Sequence, residues 1–182
     1  NETHSTDPEN IYGASKLITE KILQVFSEKK KINLKILRFM GIYGIVSPYV
    51  KQAIPSFIEK ILDKKNPIVF GTGNVKRNHI YIDDAIDAII ISINNKFNNK
   101  FNNKFNIGGI DAPSNLELIK IINNEIKTKI KPNFINSKNK EYSFVTDTNN
   151  ANKKLGFNPK VGIKEGIQKM VNDYRKLRKN GS

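Results

Sequence analysis

A change of hydrophobic period near the start constrains this chain most. Apolar residues Ile11, Leu17, Ile18, Ile22, Val25 and Phe26 recur at helical spacing, and the stretch "NLKILRF" (residues 33–39) then runs apolar like a buried strand. Asp7 and Pro8 supply an N-cap acid and a proline at the first helical position, which predicts a helix over about residues 8–29. The turn-rich stretch "GIYGIVSP" that follows the strand predicts a loop, and α/β proteins place chemistry at such strand ends. The alternation continues with a helix over about residues 50–62, a strand at 67–70, the loop "GTGNVKR", a strand "NHIYI" and a helix from Asp83 to about Ile93. Strands alternating with helices predict an α/β fold.

The stretch "INNKFNNKFNNKFNIGG" repeats Asn-Asn-Lys-Phe three times, too few copies for a solenoid, and reads as an expanded loop ending in a strand at 105–107. Ser114 and Glu117 form a capping box that opens a helix to about Ile126. "KPNFINS" predicts a short strand, "DTNNANKKLGF" a short helix closed by Gly156, and "KVGIKEGIQKMVNDYRKL" a final amphipathic helix. No interdomain linker stands out, so residues 1–182 are expected to form a single unit.

Composition excludes several classes. With no Cys and only two well-separated His residues, His4 and His79, neither a thiolate site nor a metal-ligand cluster is expected. The longest apolar run, residues 88–91, is far too short for a membrane span. The first ten residues lack a basic stretch followed by an apolar one, so a cytoplasmic location is expected. A net charge of +14 raises the question of nucleic acid. The basic runs "SEKKKIN", "DKKN" and "YRKLRKN" all fall at expected helix ends, without interleaved aromatics or a reader motif, which argues for solvated faces instead.

The motif "NIYGASKLITEK" sets Tyr12 and Lys16 one turn apart on the first helix. In so lysine-rich a chain about one Tyr-x-x-x-Lys is expected by accident, so the pair gains meaning only from its surroundings. Five landmarks follow in order: Tyr12-Gly-Ala-Ser-Lys16, "LRFMGIYG", "FGTGNVKRNHIYIDDAIDAI", "FNIGG" and "KKLGFNPKVGIKEGI". In this order and spacing the chain resembles the carboxyl-terminal half of extended short-chain dehydrogenases/reductases, the NAD-dependent nucleotide-sugar epimerase/dehydratase family. The resemblance implies the late strands and helices of a Rossmann-like parallel sheet, merged with a small α/β substrate-binding subdomain.

The resemblance also implies roles. Tyr12 would be the general acid/base and, with Lys16, would bind NAD. A phenol exchanges protons poorly near neutral pH, and a cation beside it stabilises the phenolate. Phe39 and Ile42 fall where the family packs residues beside the nicotinamide. Arg77, one of only four arginines, would grip the substrate diphosphate, because a guanidinium fork matches two phosphate oxygens. Ile68 and Phe70 resemble the strand flanking the nucleotide base, and Gln52 resembles a substrate-contacting position. His79 reads as a packing or hydrogen-bonding residue, and Asp83 and Asp84 as caps of the helix they open.

The chain departs from the family pattern in three places. Gly41 stands where the family has a substrate-contacting asparagine, and no second phosphate-gripping arginine precedes "TDTNNANKKLG", only Lys138 and Lys140. The Gly-x-x-Gly-x-x-Gly fingerprint and the catalytic Ser/Thr normally lie upstream of the tyrosine, which here has eleven residues before it. The expectation is therefore a fragment, inactive alone, of a UDP-glucose 4-epimerase-like or dTDP-glucose 4,6-dehydratase-like enzyme. The intact enzyme would use NAD on a UDP- or dTDP-hexose through a 4-keto intermediate, and would pair as a homodimer through a helix bundle that includes the tyrosine-bearing helix. The alternatives are a non-catalytic nucleotide-sugar-binding remnant or a basic nucleic-acid-binding module.

Overall fold

In the computed structural model, which describes residues 1–45, 52–95, 103–137 and 141–180, Asn10 rather than Asp7 opens the first helix. Asn10 is extended (φ −147°), and its side chain accepts a hydrogen bond from the Gly13 amide at 2.8 Å. An asparagine so placed satisfies one of the free N–H groups of the first turn, which shortens the helix to α1, Ile11–Lys30. Lys31, in the left-handed region at φ 55°, closes it, with Ser27 and Glu28 carbonyls accepting from its amide.

The strands are β1 (Ile36–Phe39), β2 (Gly41–Tyr43), β3 (Ile68–Phe70), β4 (His79–Tyr81), β5 (Lys104–Ile107) and β6 (Asn133–Ile135). Besides α1, the helices are α2 (Ala53–Leu62), α3 (Ile82–Asn94), α4 (Asn115–Ile126) and α5 (Ile163–Asn180). Strand β2 corrects the expected loop: residues 41–43 pair in parallel with 79–81, Ile42 opposite Ile80. That pairing partner lies nearly forty residues away, so no local pattern announces it. The expected short helix before Gly156 is a π-helical turn, Ala151–Leu155, and Gly156 closes it at φ 75° as expected. The expected start of α2 at residue 50 and the first copies of the Asn-Asn-Lys-Phe repeat lie outside the described residues.

The backbone forms two compact units. The first comprises Asn1–Arg38, Asp87–Ile107 and Asp147–Asn158. It holds α1, the β1–β5 pair, the later part of α3 and the π-helical turn, with Ala88, Phe105, Ile107, Ala151, Leu155 and Phe157 buried. Asn150 and Asn106 stitch it, donating to the Lys104 and Asp147 carbonyls at 2.8 and 3.4 Å.

The second unit comprises Phe39–Ile86, Gly108–Thr146 and Pro159–Ser182, and carries two parallel strand pairs, β2–β4 and β3–β6. Helix α2 presents Ile54, Phe57, Ile58 and Ile61 at i, i+3, i+4 and i+7, and packs against α4 and α5. Leu118, Ile119 and Ile122 of α4 and Ile167, Met170 and Val171 of α5 complete a core with Tyr43, Val69 and Tyr81. Each such side chain contributes roughly 1.5–3 kcal/mol by leaving water. The capping box that opens α4 is formed: Ser114 Oγ accepts from the Glu117 amide at 3.2 Å, and the Glu117 carboxylate accepts from the Ser114 amide at 2.7 Å.

Candidate active site

In the first unit, the start of α1 at Asn10 puts Tyr12 in the first turn and Lys16 one turn on. Lys16 Nζ lies 5.4 Å from the centroid of the Tyr12 ring, within cation–π range. Tyr12 is 72% exposed and Lys16 is also exposed, so the phenol and ammonium together face outward. One further turn along, Glu20 accepts a fork from Arg38 of β1, Nε to Oε1 at 2.7 Å and Nη2 to Oε2 at 2.6 Å. Those hydrogen bonds hold the Glu20 carboxyl below its ordinary range and raise the Arg38 guanidinium further, against the opposing effect of burial.

In the second unit, β3 alternates as a strand must: Val69 is fully buried, while Ile68 (44% exposed) and Phe70 (64%) share the open face. Gln52 is the N-cap of α2, yet its side chain makes no capping hydrogen bond. Phe39 and Ile42 are half-buried.

Arg77 sits on a braced backbone. Gly71 and Gly73 take φ values of 72° and 75°, which a side chain resists, and Glu141 closes the turn by accepting from the Thr72 amide (3.1 Å) and Oγ1 (2.7 Å). Lys76 and Arg77 make isolated β-bridges to Ser114 and Phe144. Buried Asn78 then accepts from the Thr146 amide at 2.7 Å and donates to the Asp111 carbonyl at 3.5 Å. The Arg77 side chain is exposed and has no ion pair among the described residues, so a fork of donors stands out from a fixed loop.

His79 is a packing residue. Its ring meets Tyr43 edge-on, 6.3 Å between centroids, and burial, reinforced by the Arg77 charge, pushes the imidazole down to about 4. Gly41 is its register partner, and a Cβ there would stand 3.0 Å from His79 Nδ1, so the missing asparagine is matched by an imidazole packed against position 41. Asp84 corrects the expected cap of its own helix. Its carboxylate accepts from the Lys160 (3.0 Å) and Val161 (2.9 Å) amides instead, while Asp83 lies in the first turn of α3.

The structure therefore brings Tyr12 and Lys16 together on α1, and sets Ile68 beside Phe70 on one face of β3. Sequence reading missed the Glu20–Arg38 fork and the Glu141 brace. The rarity of arginine could have flagged Arg38, whereas Glu141 carries no local signal. Lys138 and Lys140 lie outside the described residues. No described helix is long and apolar enough to cross a membrane.

The model of the NAD dependent epimerase/dehydratase family matches residues 1–108. A Methanocaldococcus jannaschii relative assigned as a UDP-glucose 4-epimerase is 32% identical over 174 residues, 94% of this chain and 55% of that protein. The dTDP-D-glucose 4,6-dehydratase of Mus musculus is 27% identical over 182 residues, 96% of this chain and 50% of that protein. The crystal structure of the UDP-glucose 4-epimerase of Thermotoga maritima with UDP-glucose superposes with a TM-score of 0.89 at 27% identity, covering 97% of this chain and 57% of that one. The chain thus spans about half the length of the curated relatives it matches.

Proposed function

Because the chain belongs to the NAD dependent epimerase/dehydratase family, we propose that it carries the acid/base pair and the substrate-binding part of a nucleotide-sugar 4-epimerase or 4,6-dehydratase. The observation that carries this reading is the exposed phenol of Tyr12 with the Lys16 ammonium 5.4 Å from its ring. The substrate is a UDP- or dTDP-hexose, the intact protein works as a homodimer in the cytoplasm, and the apolar residues that α1 leaves exposed, Ile18, Ile22, Val25 and Phe26, favour pairing.

The residues present suit the nicotinamide end of NAD: a phenol and a cation reachable from solvent, one helical turn apart. Tyr12 and Lys16 would hold that end, with Phe39 and Ile42 packing beside the ring. When bound, NAD supplies an acceptor for the hydride leaving a sugar carbon. Tyr12 Oη takes the proton of the sugar hydroxyl as that carbon is oxidised to a ketone, and the Lys16 cation stabilises the phenolate. Arg77 grips the diphosphate from its braced loop, while Gln52, Ile68 and Phe70 contact the remainder of the nucleotide sugar. The keto carbon then regains hydride on its other face while Tyr12 Oη returns the proton to the oxygen, or the keto sugar first loses water; these two outcomes separate epimerase from dehydratase.

Isothermal titration of this chain with UDP-glucose, dTDP-glucose and NAD tests the reading. Heat with one nucleotide sugar, abolished in Arg77→Ala, supports it and identifies the nucleotide. No heat with either sugar removes the substrate part from this chain, and heat that Arg77→Ala leaves intact removes Arg77 from its role.

A further inference from the structure

Tyr12, Lys16 and Glu20 stand at successive four-residue steps and follow one face of α1. A lysine and a glutamate four apart on a helix lie within reach of an ion pair. Here they make no ion pair. Lys16 Nζ turns back over the Tyr12 ring, and both Glu20 carboxylate oxygens are taken by the Arg38 fork. The clamp is sheltered, its side chains only 21% and 15% exposed, and it ties to β1 a helix none of whose residues is fully buried.

We propose that Arg38 is a positioning residue for the Tyr12–Lys16 pair: by occupying both oxygens of Glu20 it keeps that carboxylate from drawing Lys16 off the phenol. Released, a sheltered carboxylate seeks a cation. Lys21 and Lys104 also act on Glu20 electrostatically. Lys21 is the adjacent residue on the helix and points to another face, which leaves Lys104 of β5 as the rival to Lys16. The catalytic meaning of the placement rests on the function proposed above, but the placement itself does not.

The test is NMR of this chain labelled with ¹³C-lysine, reading the upfield ring-current shift of the Lys16 ε-protons, with Tyr12→Leu defining its absence. Arg38→Met is expected to lose the shift, the double variant Arg38→Met/Glu20→Gln to regain it, and Glu20→Gln alone to keep it. A purely structural bridge gives the opposite pattern, since both Glu20→Gln and the double variant lack it. The proposal is overturned if folded Arg38→Met keeps the shift, as it would if Glu20 turned to Lys104, or if the double variant does not regain it, or if Glu20→Gln loses it. Should Arg38→Met not fold, Arg38→Lys, a point charge in place of a fork, is expected to lose part of the shift and to regain it with Glu20→Gln; an unchanged shift there overturns the proposal equally. No nucleotide enters these measurements. A restored shift in a chain that binds no sugar would keep the positioning role and discard the function.

Discussion

The second unit of this chain and the α1 region of the first handle apolar surface in opposite ways. Helices α2, α4 and α5 bury Ile54, Ile58, Ile61, Leu118, Ile122, Ile167 and Met170 around two parallel strand pairs. Helix α1 is longer than any of them and has no fully buried residue, although its sequence carries an apolar stripe, less regular than theirs. Periodicity therefore says that a face is made to be covered and does not say by what. The contrast also sorts the candidate residues. Arg77, Gln52, Ile68 and Phe70 stand on a frame held by its own core, whereas Tyr12 and Lys16 stand on a helix without a fully buried residue, capped at both ends and tied to β1 by the Glu20–Arg38 ion pair.

The largest effect expected from this contrast is chemical and leaves the fold alone. Tyr12→Phe, made in a gene product that carries this chain and turns over substrate, should lower kcat by about 10²–10⁴, the usual weight of a general acid/base. Its thermal midpoint should hardly move, because the hydroxyl is on a largely exposed side chain. Full turnover in that variant would take the proton transfer away from Tyr12.

Next comes the frame. Ile58 is fully buried, and Ile58→Ala should cost about 2–5 kcal/mol by lost transfer energy and the cavity left behind. Urea unfolding measures this. A cost below about 1 kcal/mol would mean that the α2–α4–α5 core is loosely packed and that the contrast is overstated.

The α/β fold, with its parallel strand pairs, was legible because helices and strands alternate with clear periods, and because Ser114-Asn-Leu-Glu117 and Gly156 mark their own ends. What escaped reading depends on partners far along the chain. Residues 41–43 become a strand only because 79–81 lie beside them, and Asp84 caps amides 76 and 77 residues away. The first helix start escaped because two capping signals compete within four residues, and the Asn10 side chain reaches the Gly13 amide where Asp7 would have opened an extra turn. Of the candidate site, Tyr12–Lys16 was legible as a spacing on one helix. The Gly41 departure was visible but unexplained until His79 was found packed against it. The Glu20–Arg38 fork escaped too: the rarity of arginine singles out Arg38, but nothing near either residue in sequence names the other as its partner.

Acid should act on the second unit through His79. Its folded value of about 4 lies below the ordinary 6.5, so the unfolded chain takes up the proton first. Stability is then complete above pH 6.5, declines as pH falls from 6.5 to about 4, and has lost on the order of 3 kcal/mol by the lower end. Urea midpoints recorded across that window should fall with pH in the native chain, and His79→Phe should flatten this part of the profile. A slope that survives His79→Phe would assign the acid sensitivity to other groups.

The smallest effect is expected on α1. Ile22 is 61% exposed, so Ile22→Ala in the dilute chain removes little buried surface and should change stability by no more than about 0.5 kcal/mol. The same kind of truncation at Ile58 costs several times more, although both residues sit on the apolar stripe of a helix. The near-null result has a definite alternative. If Ile22→Ala costs more than 1 kcal/mol, and the thermal midpoint of the native chain rises with protein concentration while that of the variant does not, the α1 stripe is covered by a second copy in solution. The opposite behaviour of the two regions would then be a property of the isolated chain. The Tyr12–Lys16 pair would stand beside a helix pairing, and the exposure of its phenol would have to be measured in the paired state.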